Sequence, residues 1–208
     1  MNSKMGWIGL GSSLLVLGTV LSCGATGYGP REPAPAIGDQ PDQPALSTEM
    51  DTLDLPQPTR TTATSDGRYS FTVQAERGWE SDRVSGRLTR DSAVGTQRLW
   101  QHDLPHSYGP RFIVVGAQGQ VLLLDEFINV ASPYAVMLMD RQGDVIAQYS
   151  FDDIEAQLGI HRADIVEQAE YGWWMSAPPQ VDEAAGTVTV AAAGKMLTID
   201  LTSGQLDS

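Results

Sequence analysis

Val136-Met-Leu-Met-Asp140-Arg-Gln-Gly143-Asp-Val-Ile-Ala-Gln-Tyr149 is the stretch of this chain that decides its fold. An apolar run, a short Asp-x-x-Gly segment and a second, largely apolar run follow one another without a gap. Glycine supplies the positive φ that tight turns require, and aspartate satisfies turn backbone with its own side chain. The stretch therefore predicts an antiparallel β-hairpin in which Asp140 and Asp144 are turn residues.

The same unit recurs on both sides of this hairpin. One copy spans residues 112–149, and a shorter copy spans residues 180–206, where Met196-Leu-Thr-Ile-Asp200 corresponds to the first run of the hairpin. The segment 66–103 is a less regular third copy. Each unit contains a strand, an x-Gly turn, a strand, a loop and a second hairpin. This spacing predicts consecutive antiparallel meanders.

The repeated unit resembles the blades of β-propeller proteins, in particular exported bacterial proteins with a strand-Asp-x-x-Gly-strand hairpin. The resemblance covers most of the chain after residue 66 and implies a mainly β fold of antiparallel, blade-like sheets. Propellers normally contain four or more blades, whereas this chain shows two clear copies and a third. A partial propeller, an open meander sandwich and an assembly completed by another copy are therefore all compatible with the sequence.

Apolar periodicity predicts ten strands and one or two short helices. The strands are predicted at residues 69–75, 83–88, 97–102, 111–115, 120–126, 134–139, 144–150, 173–176, 187–192 and 195–201. A helix is predicted over residues 151–158, with Ser150 as its N-cap, Asp153 completing a capping box and Gly159 as its stop. Residues 162–171 are predicted to contain a second, shorter helical segment.

Proline and small polar residues dominate the segment that precedes the predicted domain. Seven of the twelve prolines lie between Gly24 and Asp66, and residues 59–65 are almost entirely Thr, Ala and Ser. Such a composition buries too little apolar surface to offset the entropy of ordering the chain. We therefore predict a disordered linker over residues 23–66 and a β-rich domain over residues 67–208.

The single cysteine, Cys23, lies just after an uncharged run, residues 5–21, that follows Lys4. The stretch Val20-Leu21-Ser22-Cys23-Gly24 resembles the lipobox of bacterial lipoproteins. The resemblance implies that a signal peptide, residues 1–22, is removed and that Cys23 receives a diacylglyceryl group and usually an N-acyl chain such as palmitate. Two or more chains anchor a protein stably in a bilayer. The alternatives are a free buried thiol, an intermolecular disulfide and an uncleaved signal anchor.

Charge and the residue after the cysteine bear on location and partners. Gly24 is not the aspartate that resembles an inner-membrane retention signal, so the outer membrane is expected if the host has two membranes. The expected partners are the lipid bilayer, through acylated Cys23, and an envelope protein or glycan. The net charge of −13 repels nucleic acid, which is excluded as a partner. No cofactor is expected, and an exported domain without further cysteines has no internal disulfide.

A pair of histidines and a pair of carboxylates invite a metal-binding or catalytic interpretation. His102 and His106 are four residues apart, but Pro105 interrupts the helix that would bring both to one metal ion. They are predicted as surface or turn histidines, and no metal site is expected. Asp125 and Glu126 lie at a predicted strand end, and a pair of carboxylates held about 5–10 Å apart can hydrolyse a glycoside.

Trp173 and Trp174 form the candidate binding surface together with Tyr171. Adjacent side chains on a strand point to opposite faces, so one tryptophan is expected in the core and the other on the surface or under a partner. An exposed Trp beside a Tyr can stack on a sugar ring or anchor a protein interface. We therefore expect this patch to contact a protein or a glycan.

The sequence favours a binding role over catalysis. His161 and Asp164 suggest a hydrolytic triad, but no Gly-x-Ser-x-Gly elbow accompanies them, and no catalytic residue is assigned. The predicted function is that of a membrane-anchored envelope lipoprotein presenting an acidic, β-rich binding or scaffolding domain. The alternatives are an envelope hydrolase that uses Asp125 and Glu126, and an accessory subunit of a larger β assembly.

Overall fold

The computed structural model describes residues 55–208, in which three four-stranded antiparallel sheets follow one another along the chain. Sheet A comprises β1 (Thr59–Ala63), β2 (Tyr69–Ala75), β3 (Val84–Ser92) and β4 (Gly95–Leu104). Sheet B comprises β5 (Pro110–Val115), β6 (Val121–Glu126), β7 (Val136–Met139) and β8 (Val145–Tyr149). Sheet C comprises β9 (Gln180–Asp182), β10 (Thr187–Ala192), β11 (Lys195–Asp200) and β12 (Leu206–Asp207).

Two short helices, α1 (Phe151–Leu158) and α2 (Arg162–Glu167), connect sheet B to sheet C, and a 3-10 turn covers Glu76–Gly78. Each sheet is a meander whose strands are adjacent in chain order. The prediction of a mainly β fold with antiparallel, blade-like sheets and one or two short helices is confirmed. The less regular third copy in the sequence corresponds to sheet A.

Aspartate side chains close the hairpins that define the repeat. The Asp140 carboxylate accepts hydrogen bonds from the backbone N–H groups of Gln142 and Asp144, at 2.8 and 2.9 Å. Gly143 completes this turn with a φ of 91°. In sheet C the Asp200 carboxylate likewise accepts the N–H of Ser203 at 2.7 Å. The Asp-x-x-Gly signal is therefore local turn chemistry, as predicted.

Sheet B lies between sheets A and C and is covered on both faces. Successive side chains on a strand point to opposite faces, so β6 and β7 supply both cores. One core joins sheets A and B through Phe71, Val73, Leu88, Trp100, Val121, Leu123, Met137 and Met139. The other joins sheets B and C and the helices through Leu122, Leu124, Val136, Leu138, Phe151, Ile154, Trp174, Val188, Val190 and Leu197. Burying each such large side chain contributes about 1.5–3 kcal/mol.

Helix α1 begins and ends where the sequence predicts. The Ser150 hydroxyl accepts the N–H of Asp153, and the Asp153 carboxylate accepts the N–H of Ser150, which forms a capping box. Gly159 ends the helix with a φ of 60°. The second helical segment is shorter than predicted, because α2 ends at Glu167.

The strand assignment also differs from the prediction, because β1, β9 and β12 were not among the predicted strands and residues 173–176 are not a strand. The folded part begins before residue 67, because β1 (Thr59–Ala63) pairs with β2 from Thr59↔Gln74 to Ala63↔Ser70. The C-terminal end of the predicted linker is thus a strand of sheet A. Residues 1–54, including Cys23 and the signal-peptide region, lie outside the described residues.

Residues 173–176 are not a strand but a tight turn closed by a bridge between Tyr171 and Met175. Within residues 55–208, no helix has the length and apolar character needed to cross a membrane.

Candidate functional site

The aromatic patch predicted from the sequence is only partly at the surface. Trp174 is 0% exposed and belongs to the core between sheets B and C. Trp173 is half-buried and packs edge-on against Phe151 of α1, with ring centroids 6.4 Å apart. Tyr171 is 39% exposed and lies 6.5 Å from the ring of Phe112. Of the three residues, Tyr171 and part of Trp173 are therefore accessible to a partner.

The turn that carries the aromatic patch is held by a buried carboxylate. Asp125, at the end of β6, is 0% exposed, and its Oδ2 accepts the N–H of Trp173 at 2.7 Å. Gly172 lies directly against this carboxylate, because a Cβ at that position would overlap Asp125 Oδ2 and come within 2.7 Å of Arg111 Nε. The Asp125 carboxylate therefore accepts a hydrogen bond from the backbone of the turn and does not face solvent.

The electrostatic surroundings of Asp125 are unusual. Burial raises the pKa of its carboxyl group to about 6, while the Trp173 N–H and the charge of Arg111 oppose the rise. Its Oδ1 atom is buried without a hydrogen-bond partner among the described residues. The backbone of Asp125 has a φ of 55°, in the left-handed region that non-glycine residues seldom adopt. Burial and backbone strain together make Asp125 the most perturbed carboxylate described.

Asp125→Asn is expected to remove one component of the pH dependence of stability. The folded state binds the Asp125 proton more tightly than the unfolded state, because the pKa rises from 3.8 to about 6 on folding. The stability from this group is full below pH 3.8 and is lost as the pH rises through 6, a change of about 3 kcal/mol. Relative to wild type, the variant's free energy of unfolding should rise by up to about 3 kcal/mol from about pH 4 to about pH 8 in urea titrations. A difference that stays constant with pH would contradict this expectation.

Arg111, whose charge acts on this carboxylate, and the neighbouring Arg60 both have structural partners. Arg111 donates to the carbonyl of Phe127 and, at 2.6 Å, to Asn129 Oδ1, and its guanidinium lies 5.3 Å from the Phe127 ring centroid. Arg60 of β1 lies 5.7 Å from the same ring and donates to the carbonyls of Pro110 and Arg111. Burial and the Arg111 charge lower the pKa of Arg60. These contacts hold β1 of sheet A against β5 of sheet B.

Glu126, next to Asp125, is also buried and already has its partners. Its Oε1 accepts the hydroxyl of Ser132 at 2.6 Å, and its Oε2 accepts the N–H of Ser107 at 3.2 Å. A glycoside hydrolase needs two carboxyl groups that flank a sugar in an open cleft. Asp125 and Glu126 are 0% and 6% exposed, so they do not meet such a substrate. The structure therefore gives the hydrolase alternative no accessible pair of carboxylates at this position.

The three histidines have different surroundings. His106 begins the turn between β4 and β5, consistent with the prediction of a surface or turn residue, but it is 1% exposed and so not at the surface, and burial lowers its pKa to about 4. Its ring packs 5.5 Å from that of Tyr134. His102 is exposed on β4 and stacks on Trp100 at 5.3 Å. His161 caps α2 by accepting the N–H of Ala163 at 3.3 Å. No group of three potential metal ligands occurs within residues 55–208.

A further cleft lies on the side of sheet A that faces away from sheet B. It has a volume of about 300 Å³ and is lined in part by Gln74, Arg83, Ser85 and Asp103. Gln74 of β2, Ser85 of β3 and Asp103 of β4 lie opposite one another across the three strands and therefore share one face of sheet A. No protein-family model matches the chain, and no curated protein is similar to it.

Proposed function

We propose that the protein is a lipid-anchored envelope lipoprotein that presents a three-sheet, acidic β-domain as a binding or scaffolding module. The observation that carries the binding role is the burial of Asp125 and Glu126, which leaves the hydrolase alternative without accessible carboxylates. The accessible surfaces of the described residues include the polar outer faces of sheets A and C and the partly exposed turn at Tyr171. Surfaces of this kind bind partners without supplying a reactive group.

The anchor part of the proposal rests on the lipobox-like sequence. Cys23 follows Val20-Leu21-Ser22 directly and is the only cysteine in the chain. A diacylglyceryl group together with an N-acyl chain exceeds the two-chain requirement for stable membrane attachment. In this proposal residues 24–54 tether the domain to the membrane. Because Gly24 occupies the second position, the proposal places the mature protein in the outer membrane of a host that has two membranes.

Metabolic labelling with a palmitate analogue tests the anchor. The full-length chain expressed in a bacterial host should be labelled and processed, whereas Cys23→Ser should be unlabelled and should keep its leader. As a matched control, Gly24→Asp preserves the acceptor cysteine, so it should still be labelled but should fractionate with the inner membrane. Label on Cys23→Ser, or no label on wild type, would overturn the lipoprotein assignment.

A further inference from the structure

The turn that carries the aromatic patch belongs to a short segment, residues 168–173, which we call the flap. Two N–H groups of the flap donate to the carbonyl of Met175, at 3.0 and 2.9 Å, and so stay within the turn. Trp174 and Met175, which follow the flap, are 0% exposed and lie in the core between sheets B and C. Within residues 55–208, the hydrogen bond that joins the flap to sheet B is the one from the Trp173 N–H to Asp125 Oδ2.

Two groups of opposite charge meet the flap at Gly172. A Cβ at Gly172 would overlap Asp125 Oδ2 and would lie 2.7 Å from Arg111 Nε, so both side chains contact the backbone of this residue. Within residues 55–208 neither side chain forms an ion pair, and Asp125 Oδ1 and Arg111 Nε are both buried without a hydrogen-bond partner. With the flap in place, two neighbouring side chains of opposite charge therefore remain unpaired.

The backbone at this contact is unusual on both sides. Asp125 has a φ of 55° and Gly172 a φ of 96°, both in the left-handed region. Glycine adopts this region readily, whereas aspartate does so at a cost in free energy. Strained residues persist only where the surrounding structure enforces them, and they cluster at switch regions. Movement of the flap away from Asp125 would relax this contact.

The charged and titratable groups around Asp125 determine how the contact responds to pH. Those on the elements packed around it are Arg111 on β5, Glu126 on β6, Arg60 on β1, His106 in the β4–β5 turn, Arg162 on α2, and Glu170 and Tyr171 in the flap. Strand β7 carries no charged residue. The Arg111 charge lowers the pKa of Asp125 and the Glu126 charge raises it, but burial has the largest effect and raises this pKa to about 6. His106 is neutral above about pH 4, because burial lowers its pKa to about 4. The closed flap therefore binds the Asp125 proton more tightly than an open flap, in which water reaches the carboxylate.

We propose that the flap responds to pH: the protonated Asp125 carboxyl group keeps it closed at acidic pH, and it opens more readily, about Gly172, when this group ionises. The proton leaves to solvent, and water and the Arg111 guanidinium take the place of the Trp173 N–H at the carboxylate. Opening withdraws Trp173 from the edge of the core and exposes it next to Tyr171. That the two rings then meet a partner rests on the proposed binding role, whereas the opening itself does not.

The size of the effect follows from proton linkage. With the flap open and the carboxylate in water, the pKa of Asp125 returns to its ordinary value of 3.8, whereas in the closed flap it is about 6. The opening equilibrium constant is therefore lowest below about pH 4, rises about tenfold per pH unit between about pH 4 and about pH 6, and is constant above about pH 7. In total it increases about 100-fold.

Hydrogen exchange of the full-length chain in mild detergent, followed by mass spectrometry from about pH 4 to about pH 8, tests the proposal. After correction for the intrinsic exchange rate, the protection factors at residues 171–173 should fall about 100-fold in wild type. Asp125→Asn keeps an oxygen that accepts the Trp173 N–H but does not ionise, so its protection factors should not change with pH. As a matched control, Asp144→Asn removes an exposed carboxylate from the β7–β8 turn and should behave as wild type.

Residues 122–124 of β6 report global unfolding in the same experiment. They should be better protected than residues 171–173 at every pH, because the flap opens while the core stays folded. Equal protection of the two segments, protection at residues 171–173 that is constant with pH in wild type, or an equal fall in Asp125→Asn would each overturn the proposal. Because exchange is measured without a partner, such an outcome leaves the binding role standing, and failure of the binding role would leave the exchange result unchanged.

Discussion

Gly172→Ala is expected to destabilise the protein by about 3–5 kcal/mol, one of the two largest losses among the substitutions considered. Gly172 has a φ of 96°, where an L side chain is strained. The added Cβ would overlap Asp125 Oδ2 and would lie 2.8 Å from Arg111 Cδ. Relief of that overlap requires the carboxylate to move away from the Trp173 N–H, which leaves a buried charged group unpaired. Urea denaturation followed by circular dichroism measures the loss.

Gly186→Ala is the matched control for the backbone part of this effect. Gly186 also has a positive φ, 69°, but no atom lies within 4 Å of the position of an added Cβ. Its cost should be limited to backbone strain, about 1 kcal/mol. If the two substitutions cost the same, the contact between Gly172 and the Asp125 carboxylate contributes nothing to stability.

Trp174→Ala is expected to cost about 3–5 kcal/mol, because it removes a fully buried aromatic side chain and leaves a cavity between sheet B and sheet C. Trp173→Ala should cost less, about 1–3 kcal/mol, because Trp173 is half-buried and packs at the edge of the same core. Equilibrium urea unfolding of both variants at one pH gives the comparison. A larger loss for Trp173→Ala would contradict the placement of the two rings.

Local turn and cap chemistry is the part of the fold that the sequence predicts best. The Asp140 turn and the capping box of Ser150 and Asp153 each depend on residues within four positions of one another. These hydrogen bonds depend only on neighbouring residues, so the turn and the capping box can be predicted from the sequence of one chain. The blade-like repeat is visible for the same reason, since each copy contains its own hairpin signals.

Features that depend on distant contacts were missed. β1 carries no apolar alternation of its own, and the pairing partner that makes it a strand is β2, along Thr59↔Gln74 to Ala63↔Ser70. The turn at Trp173 depends on Asp125, 48 positions earlier in the chain. His106 is buried by packing against Tyr134. In each case tertiary structure overrides a local propensity that pointed elsewhere.

At the candidate site, too, the sequence predicts which residues are involved but not the tertiary contacts that decide their role. The sequence identified Asp125 and Glu126 as carboxylates at the end of a strand, and the structure confirms that position. Both side chains are buried, however, so they do not form the accessible pair that hydrolysis of a glycoside requires. A strand pattern alone does not reveal whether a carboxylate at its end meets water or a backbone N–H.

The shared position of sheet B has a consequence for how the molecule opens. Both cores include side chains of β6 and β7, so unfolding of sheet B disrupts both cores. Unfolding of sheet A disrupts only the core between sheets A and B, and unfolding of sheet C disrupts only the core between sheets B and C. Amide protons of β6 and β7 should therefore exchange with solvent only through global unfolding, while those of the outer sheets also exchange through partial opening. The middle sheet is the cooperative unit of the domain, and its two neighbours are separable foldons built upon it.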